Sequence, residues 1–186
     1  MCGIVGYVGS RNAVDFLVGG LRRLEYRGYD SSGVASITPH DDLVVVKGAG
    51  RIDGLEARLN DTPAPGCVGI GHTRWATHGE ANDVNAHPHI GGHKSLALVH
   101  NGVIENFQAI KRRLVEEGYQ FASDTDSEVI AQLIDSCLAR QPDIDSAVAN
   151  DYKPLLDAVQ EALSQLQGTY GVAIVFRKYP QLMIAA

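Results

Sequence analysis

The chain has 186 residues, enough for one domain with a sizeable core, and 45% of them are hydrophobic, an ordinary globular share. Its net charge of −6, without any long basic run, excludes nucleic acid as an expected partner. Cys2, Cys67 and Cys137 are too few and too widely spaced for a disulfide framework or a thiolate zinc site. No signal peptide and no long apolar span are read, so a cytosolic protein away from membranes is expected.

Along the chain, 3–8 is a short β-like apolar run. Val14, Leu17, Val18, Leu21 and Leu24 then recur at helical spacing. Segment 27–33 is a loop by composition, 34–37 and 43–46 form a predicted strand pair, and a short helix covers 52–59 before the Pro/Gly break at 62–66. Strands are expected at 67–72 and 95–100. The 22 residues between them (73–94) lack periodicity, and loops of that length are often functional. Helices follow at 106–117, 126–140 and 154–166. The second has a capping-box start, Thr125 with Glu128 three residues on. Strands at 171–176 and 182–185 complete the pattern, and the apolar stretch at 182–186 reads as a cut at or inside a domain. Strands and helices come in blocks, which predicts α+β layers with mainly antiparallel sheets between helices.

Cys2 directly follows Met1. Once Met1 is removed, Cys2 carries a thiol and a free α-amine, and with a reference pKa near 8 roughly 15% of that amine is uncharged at pH 7. Such a residue is a nucleophile with its own base. A small buried residue near the chain start is the plainer reading. His100-Asn101-Gly102 reads equally as a side-chain amide plus backbone N–H oxyanion hole at a strand end or as an Asn-Gly turn. Arg74 is either a carboxylate clamp or a structural loop arginine. Asp126 suits the first turn of a helix by the macrodipole alone, or anchors a substrate ammonium. Arg74 and Asp126 together would hold an α-amino acid by both charged ends. Six of the seven histidines fall between 72 and 100, but their spacings match no zinc motif, so no metal is expected. Lys111-Arg112-Arg113 reads as a solvated helix face.

Taken jointly, six ordered segments resemble the class II glutamine amidotransferase domain over essentially the whole chain. They are Cys2-Gly3-Ile4-Val5-Gly6, Tyr26-Arg27-Gly28-Tyr29-Asp30-Ser31, His72-Thr73-Arg74-Trp75-Ala76-Thr77-His78-Gly79, Asn85-Ala86-His87-Pro88, His100-Asn101-Gly102 and Thr125-Asp126-Ser127-Glu128. The resemblance implies the four-layer αββα sandwich of N-terminal-nucleophile hydrolases. It implies glutamine as substrate, no cofactor, Cys2 as nucleophile, and Asn101 and Gly102 as the oxyanion hole. Arg74 would bind the α-carboxylate and Asp126 the α-ammonium. Thr77 and His78 would line the pocket, Trp75 would sit on the covering loop, and Arg27 would support the nucleophile from behind. His87 lies in a matching segment without an assigned role. Residues 73–79 are similar to family members that deliver ammonia to fructose 6-phosphate through further sugar-isomerase domains, which this chain does not contain. A homodimer is compatible with the longer protein. Rival expectations are an amidase for another amide and a non-catalytic glutamine-binding module.

Overall fold

The computed structural model describes residues 2–75, 79–141 and 152–186. In chain order these form β1 (Gly3–Val8), α1 (Ala13–Leu24), β2 (Ser31–Ile37), β3 (Leu43–Ala49), α2 (Ile52–Asp61), β4 (Val68–Arg74), β5 (His89–Ile90), β6 (Leu96–Ile104), α3 (Phe107–Glu116), α4 (Asp126–Ala139), α5 (Lys153–Ser164), β7 (Gly168–Phe176) and β8 (Tyr179–Ala185). Two four-stranded sheets result, with orders β1-β4-β2-β3 and β5-β6-β7-β8. Every neighbouring pair in both is antiparallel.

Strand periodicity sorts the side chains into three apolar layers. Leu17, Val18 and Leu21 of α1 and Leu55 of α2 pack on the outer face of the first sheet with Val34 and Val46. The sheets meet through Ala35, Ile37, Val68 and Ile70 on one side and Ala97, Val99, Ala173 and Val175 on the other. The outer face of the second sheet, with Leu96, Leu98 and Ile174, is covered by α3, α4 and α5. The layer order is therefore helix, sheet, sheet, helix, as the sandwich expectation requires. Helix α4 is buried from Asp126 to Leu138, apolar and polar faces alike, because it lies between the sheet and its neighbouring helices.

The structure departs from the sequence reading at several points. Segment 27–33 is not wholly loop, since β2 starts at Ser31. Its small residues suit a central strand in a tight space: a Cβ on Gly33 would stand 2.2 Å from the His87 carbonyl oxygen. Asn101-Gly102 is neither a turn nor a strand end. Strand β6 runs on to Ile104, and the pair lies in register with Gly171 and Tyr170 of β7. Gly102 holds this path at φ +143°, where a Cβ would meet the Thr169 carbonyl oxygen at 2.0 Å, so only glycine fits.

Smaller corrections concern side chains. Thr125 caps α4 by accepting from Glu128 N–H, but Glu128 turns its carboxylate to the Ala122 and Ser123 N–H groups rather than back to Thr125. Cys67 is exposed just ahead of β4, whereas Cys137 is buried in α4. Lys111 is only half-exposed: it donates to the Ser123 carbonyl and covers the Phe121 ring.

The facing alanines set the sheet separation. Ala97→Leu should destabilise the fold by about 1–3 kcal/mol through overpacking. Urea denaturation measures this, and an unchanged midpoint would contradict the close approach described here.

Candidate active site

Strand parity builds the site. Val68 and Ile70 of β4 face the inter-sheet layer, so His72 and Arg74 continue the same face toward its end. On β6, Ala97 and Val99 face inward, and Asn101 follows them. The apolar interface thus gives way to polar side chains at one end. Cys2 stands there too, immediately before β1, whose Gly3 lies opposite Thr73.

A cavity of about 550 Å³ opens at this end. Cys2, Arg27, Arg74, Trp75, Asn101, Gly102 and Asp126 all line it. Seven of the nine residues expected at the site are therefore brought together. Thr77 and His78 lie outside the described residues. Arg27, expected behind the nucleophile, forms part of the cavity wall itself.

The Cys2 sulfur accepts the Trp75 N–H at 3.2 Å and lies 3.6 Å from the Trp75 carbonyl oxygen. Sequence reasoning placed Trp75 on the covering loop and missed this main-chain contact, because any residue type supplies a backbone N–H. The ring is partly exposed and meets Tyr29 edge-on at 5.6 Å. Asn101 donates from Nδ2 to the Cys2 carbonyl oxygen at 3.4 Å, and its Oδ1 faces His72 Nε2 at 2.8 Å.

Arg74 is buried and donates to the Glu80 and Gly79 carbonyls at 3.2 and 3.4 Å. Burial pushes its guanidinium down from the usual value, opposed by the charges of Cys2, Asp30 and Asp126. Asp126, on the same cavity, accepts the Ile104 N–H at 2.9 Å and the Ser127 hydroxyl at 3.3 Å. Ser127 in turn contacts His100 Nδ1 at 2.9 Å. His100 and Ser127 thus brace the carboxylate, a support hidden from the sequence because it joins a strand to a helix.

Asn85 ties the two charged poles. Its Nδ2 donates to the Glu80 carbonyl that also receives Arg74, and its Oδ1 accepts the Asp124 N–H ahead of α4. The long loop is further clasped to β3, where Lys47 donates to the Ala86 and Val84 carbonyls and Asp83 accepts the Ala49 N–H. Burial draws the Lys47 ammonium down to about 8.

The four inward histidines form one buried cluster. His87 packs against His72 and His89 at 4.2 and 4.7 Å between ring centres, and His89 Nε2 meets Thr125 Oγ1 at 3.0 Å. Desolvation brings His72 down to about 4, holds His87 and His89 well below the ordinary value, and lowers His100 against the pull of Asp126. Among the described residues, no three His, Cys, Asp or Glu side chains are arranged to hold a metal ion. No helix among them is long and apolar enough to cross a membrane.

Comparison with known proteins places this geometry. A glutamine amidotransferase domain model matches residues 72–186. The chain belongs to the glutamine amidotransferase family. It is 47% identical over all 186 residues to glutamine–fructose-6-phosphate aminotransferase (isomerizing) from Clostridium perfringens, covering 28% of that protein. It is 48% identical over the same length to the namesake from Bacteroides thetaiotaomicron, covering 29%. The chain therefore spans less than a third of the curated relatives it matches. Among solved structures, glutamine phosphoribosylpyrophosphate amidotransferase from B. subtilis superposes with a TM-score of 0.74 at 28% identity, over 95% of this chain and 35% of the other. The family fold and the antiparallel double sheet agree with the sandwich expected from the sequence.

The buried histidines make a pH prediction. Each is held neutral in the fold but takes a proton near pH 6.5 when unfolded. The unfolded state then binds more protons, so stability falls as pH drops below about 6.5, by up to about 1.4 kcal/mol per pH unit per histidine. For His72 the loss continues down to about 4. Urea midpoints should fall between about pH 7 and pH 5, before most carboxylates titrate. Equal midpoints would show that the cluster is not held neutral.

Proposed function

We propose that this family member is a glutaminase domain that converts glutamine to glutamate and ammonia through a γ-glutamyl thioester on Cys2. The observation that carries the reading is one cavity lined by the nucleophile candidate Cys2, the Asn101 amide, a buried cation, Arg74, and a buried anion, Asp126. Opposite charges lining one cavity suit a zwitterionic α-amino acid, whose carboxylate and ammonium they complement. They favour a free amino-acid amide over a peptide or an uncharged acyl amide.

In this reaction the Cys2 sulfur attacks the side-chain carbonyl carbon of glutamine and its thiol proton moves to the α-amine. The amine is available once Met1 is removed. The tetrahedral oxyanion is held by Asn101 Nδ2 and the Gly102 N–H. Collapse expels ammonia, which takes up the proton from the amine. Water then cleaves the thioester, releasing glutamate and restoring the thiol. Preorganised donors of this kind act on charge that appears only during reaction. Trp75 and Arg27 line the same cavity, and the resemblance assigns Thr77 and His78 to glutamine binding.

The named relatives support a wider role. In a longer protein the ammonia would pass to fructose 6-phosphate on sugar-isomerase domains, giving glucosamine 6-phosphate for hexosamine synthesis in the cytoplasm, with a homodimer as the assembly. The 186-residue chain would be the glutamine-hydrolysing part alone.

Cys2→Ala should abolish glutamine hydrolysis with the fold intact, and an electrophilic diazoketone analogue of glutamine should add once, at Cys2, by intact mass. Labelling elsewhere, or a hydrolytically active Cys2→Ala protein, would sink the assignment. Asn101→Ala should lower kcat by about 10²–10³. Asp126→Asn keeps an acceptor for Ile104 N–H but removes the charge, so it should chiefly raise KM for glutamine. A reversed pattern, with Asn101→Ala altering KM alone, would overturn these roles.

Supplied with glutamine and fructose 6-phosphate together, the 186-residue chain should release glutamate and ammonia and form no glucosamine 6-phosphate. Aminosugar product from the purified chain would refute this division of labour.

A further inference from the structure

We propose that His72 is a positioning residue for the oxyanion hole: its Nε2–H fixes the Asn101 carboxamide with the NH₂ group turned toward Cys2. The inference rests on the glutaminase reading and deepens it.

A carboxamide has two ends of similar shape and opposite polarity. With its NH₂ toward Cys2, Asn101 stabilises the oxyanion. Rotated by half a turn, it would present oxygen to a developing negative charge. Something must choose between the two. The Cys2 carbonyl oxygen can only accept, and Asn101 Nδ2 faces it. Asn101 Oδ1 is therefore the atom at His72 Nε2, and that nitrogen must carry the proton. The two contacts are unequal. The bond to Cys2 is long, at 3.4 Å, whereas the one to His72 is 2.8 Å. His72 is thus the stronger anchor.

Three features hold His72 in place. Its side chain is fully buried on β4, packed against the His87 ring at 4.2 Å. Burial keeps it singly protonated down to about 4, so near neutral pH it adds no net charge beside the nucleophile. It also spans the sandwich. His72 lies in register with Ile4 of β1, the strand that Cys2 directly precedes, while Asn101 belongs to the other sheet. The bond therefore fixes the oxyanion donor relative to the nucleophile across the sheet interface.

The test compares His72→Gln with His72→Met in a Cys67→Ala background, which removes the exposed thiol. Glutamine can place an amide nitrogen near the position of Nε2, while methionine has similar length and no donor. The Met variant should lose roughly 10–10² in kcat, at most the loss from removing the donor itself, with KM for glutamine little changed. The Gln variant should recover most of that loss. Adding His72→Met to Asn101→Ala should cause no further loss, because the residue acts through Asn101. Cys2 alkylation by iodoacetamide, which needs no oxyanion hole, should keep its rate.

Unchanged kcat in a folded His72→Met protein would overturn the inference. So would Gln and Met variants of equal rate, or losses that multiply with Asn101→Ala. If His72→Met does not fold, His72→Leu makes the same comparison with Gln. The parent protein separates this inference from the glutaminase reading. A parent that does not turn over glutamine refutes both, whereas an active parent with no Gln–Met difference refutes only the positioning role.

Discussion

Two sheets approach closely because the side chains between them are small, and at the end of that contact His72 meets Asn101 at 2.8 Å. Almost every feature of the site depends on this junction. Ala35, Ala97 and Ala173 let the sheets settle together, while Ile70 and Val99 exclude water from the layer behind it. Where the apolar pairs stop, the same strand faces present His72, Arg74 and Asn101. A polar group at such a place is costly unless paired, and the packing of the two sheets pairs His72 with Asn101.

The charged walls are held by a different part of the fold. Asp126 is fixed by a backbone N–H of β6 and by the first turn of α4, and Arg74 by the carbonyls of Gly79 and Glu80. Asn85 joins these supports, so the segment 79–88 works as a brace. Lys47 and Asp83 bind that brace to the first sheet. The positions of cation and anion are set by main-chain contacts as much as by the two side chains.

The histidine cluster links chemistry to stability. Buried imidazoles are neutral at neutral pH and supply directional donors and acceptors without adding charge beside Cys2. The same burial makes acid a threat to the fold. The arrangement that keeps Asn101 in one orientation therefore also limits the pH range in which the domain is at its most stable.

Much of the protein was legible in the residues themselves. Helical spacing at Val14, Leu17, Val18 and Leu21 located α1, and the Thr125 cap located the start of α4, because both signals are local. Cys2 stood out through its position, and Arg74, Asn101 and Asp126 through their chemistry beside glycines and helix starts. Local sequence could not fix the path of 31–33 or of Asn101-Gly102. The first looks like loop by composition and the second like a strand end or a turn, and both lie within strands because β4 and β7 pair with them. Nor could it reveal the Trp75 N–H at the thiol, the bracing of Asp126 by Ser127 and His100, or the contact of His72 with Asn101. Each joins residues far apart in the chain and depends on which face of a strand points inward. The sequence by itself determined which groups are present and the period of their faces. The packing of one sheet on the other decided which of them meet, since distance and orientation between strands are set only when the whole apolar interface closes.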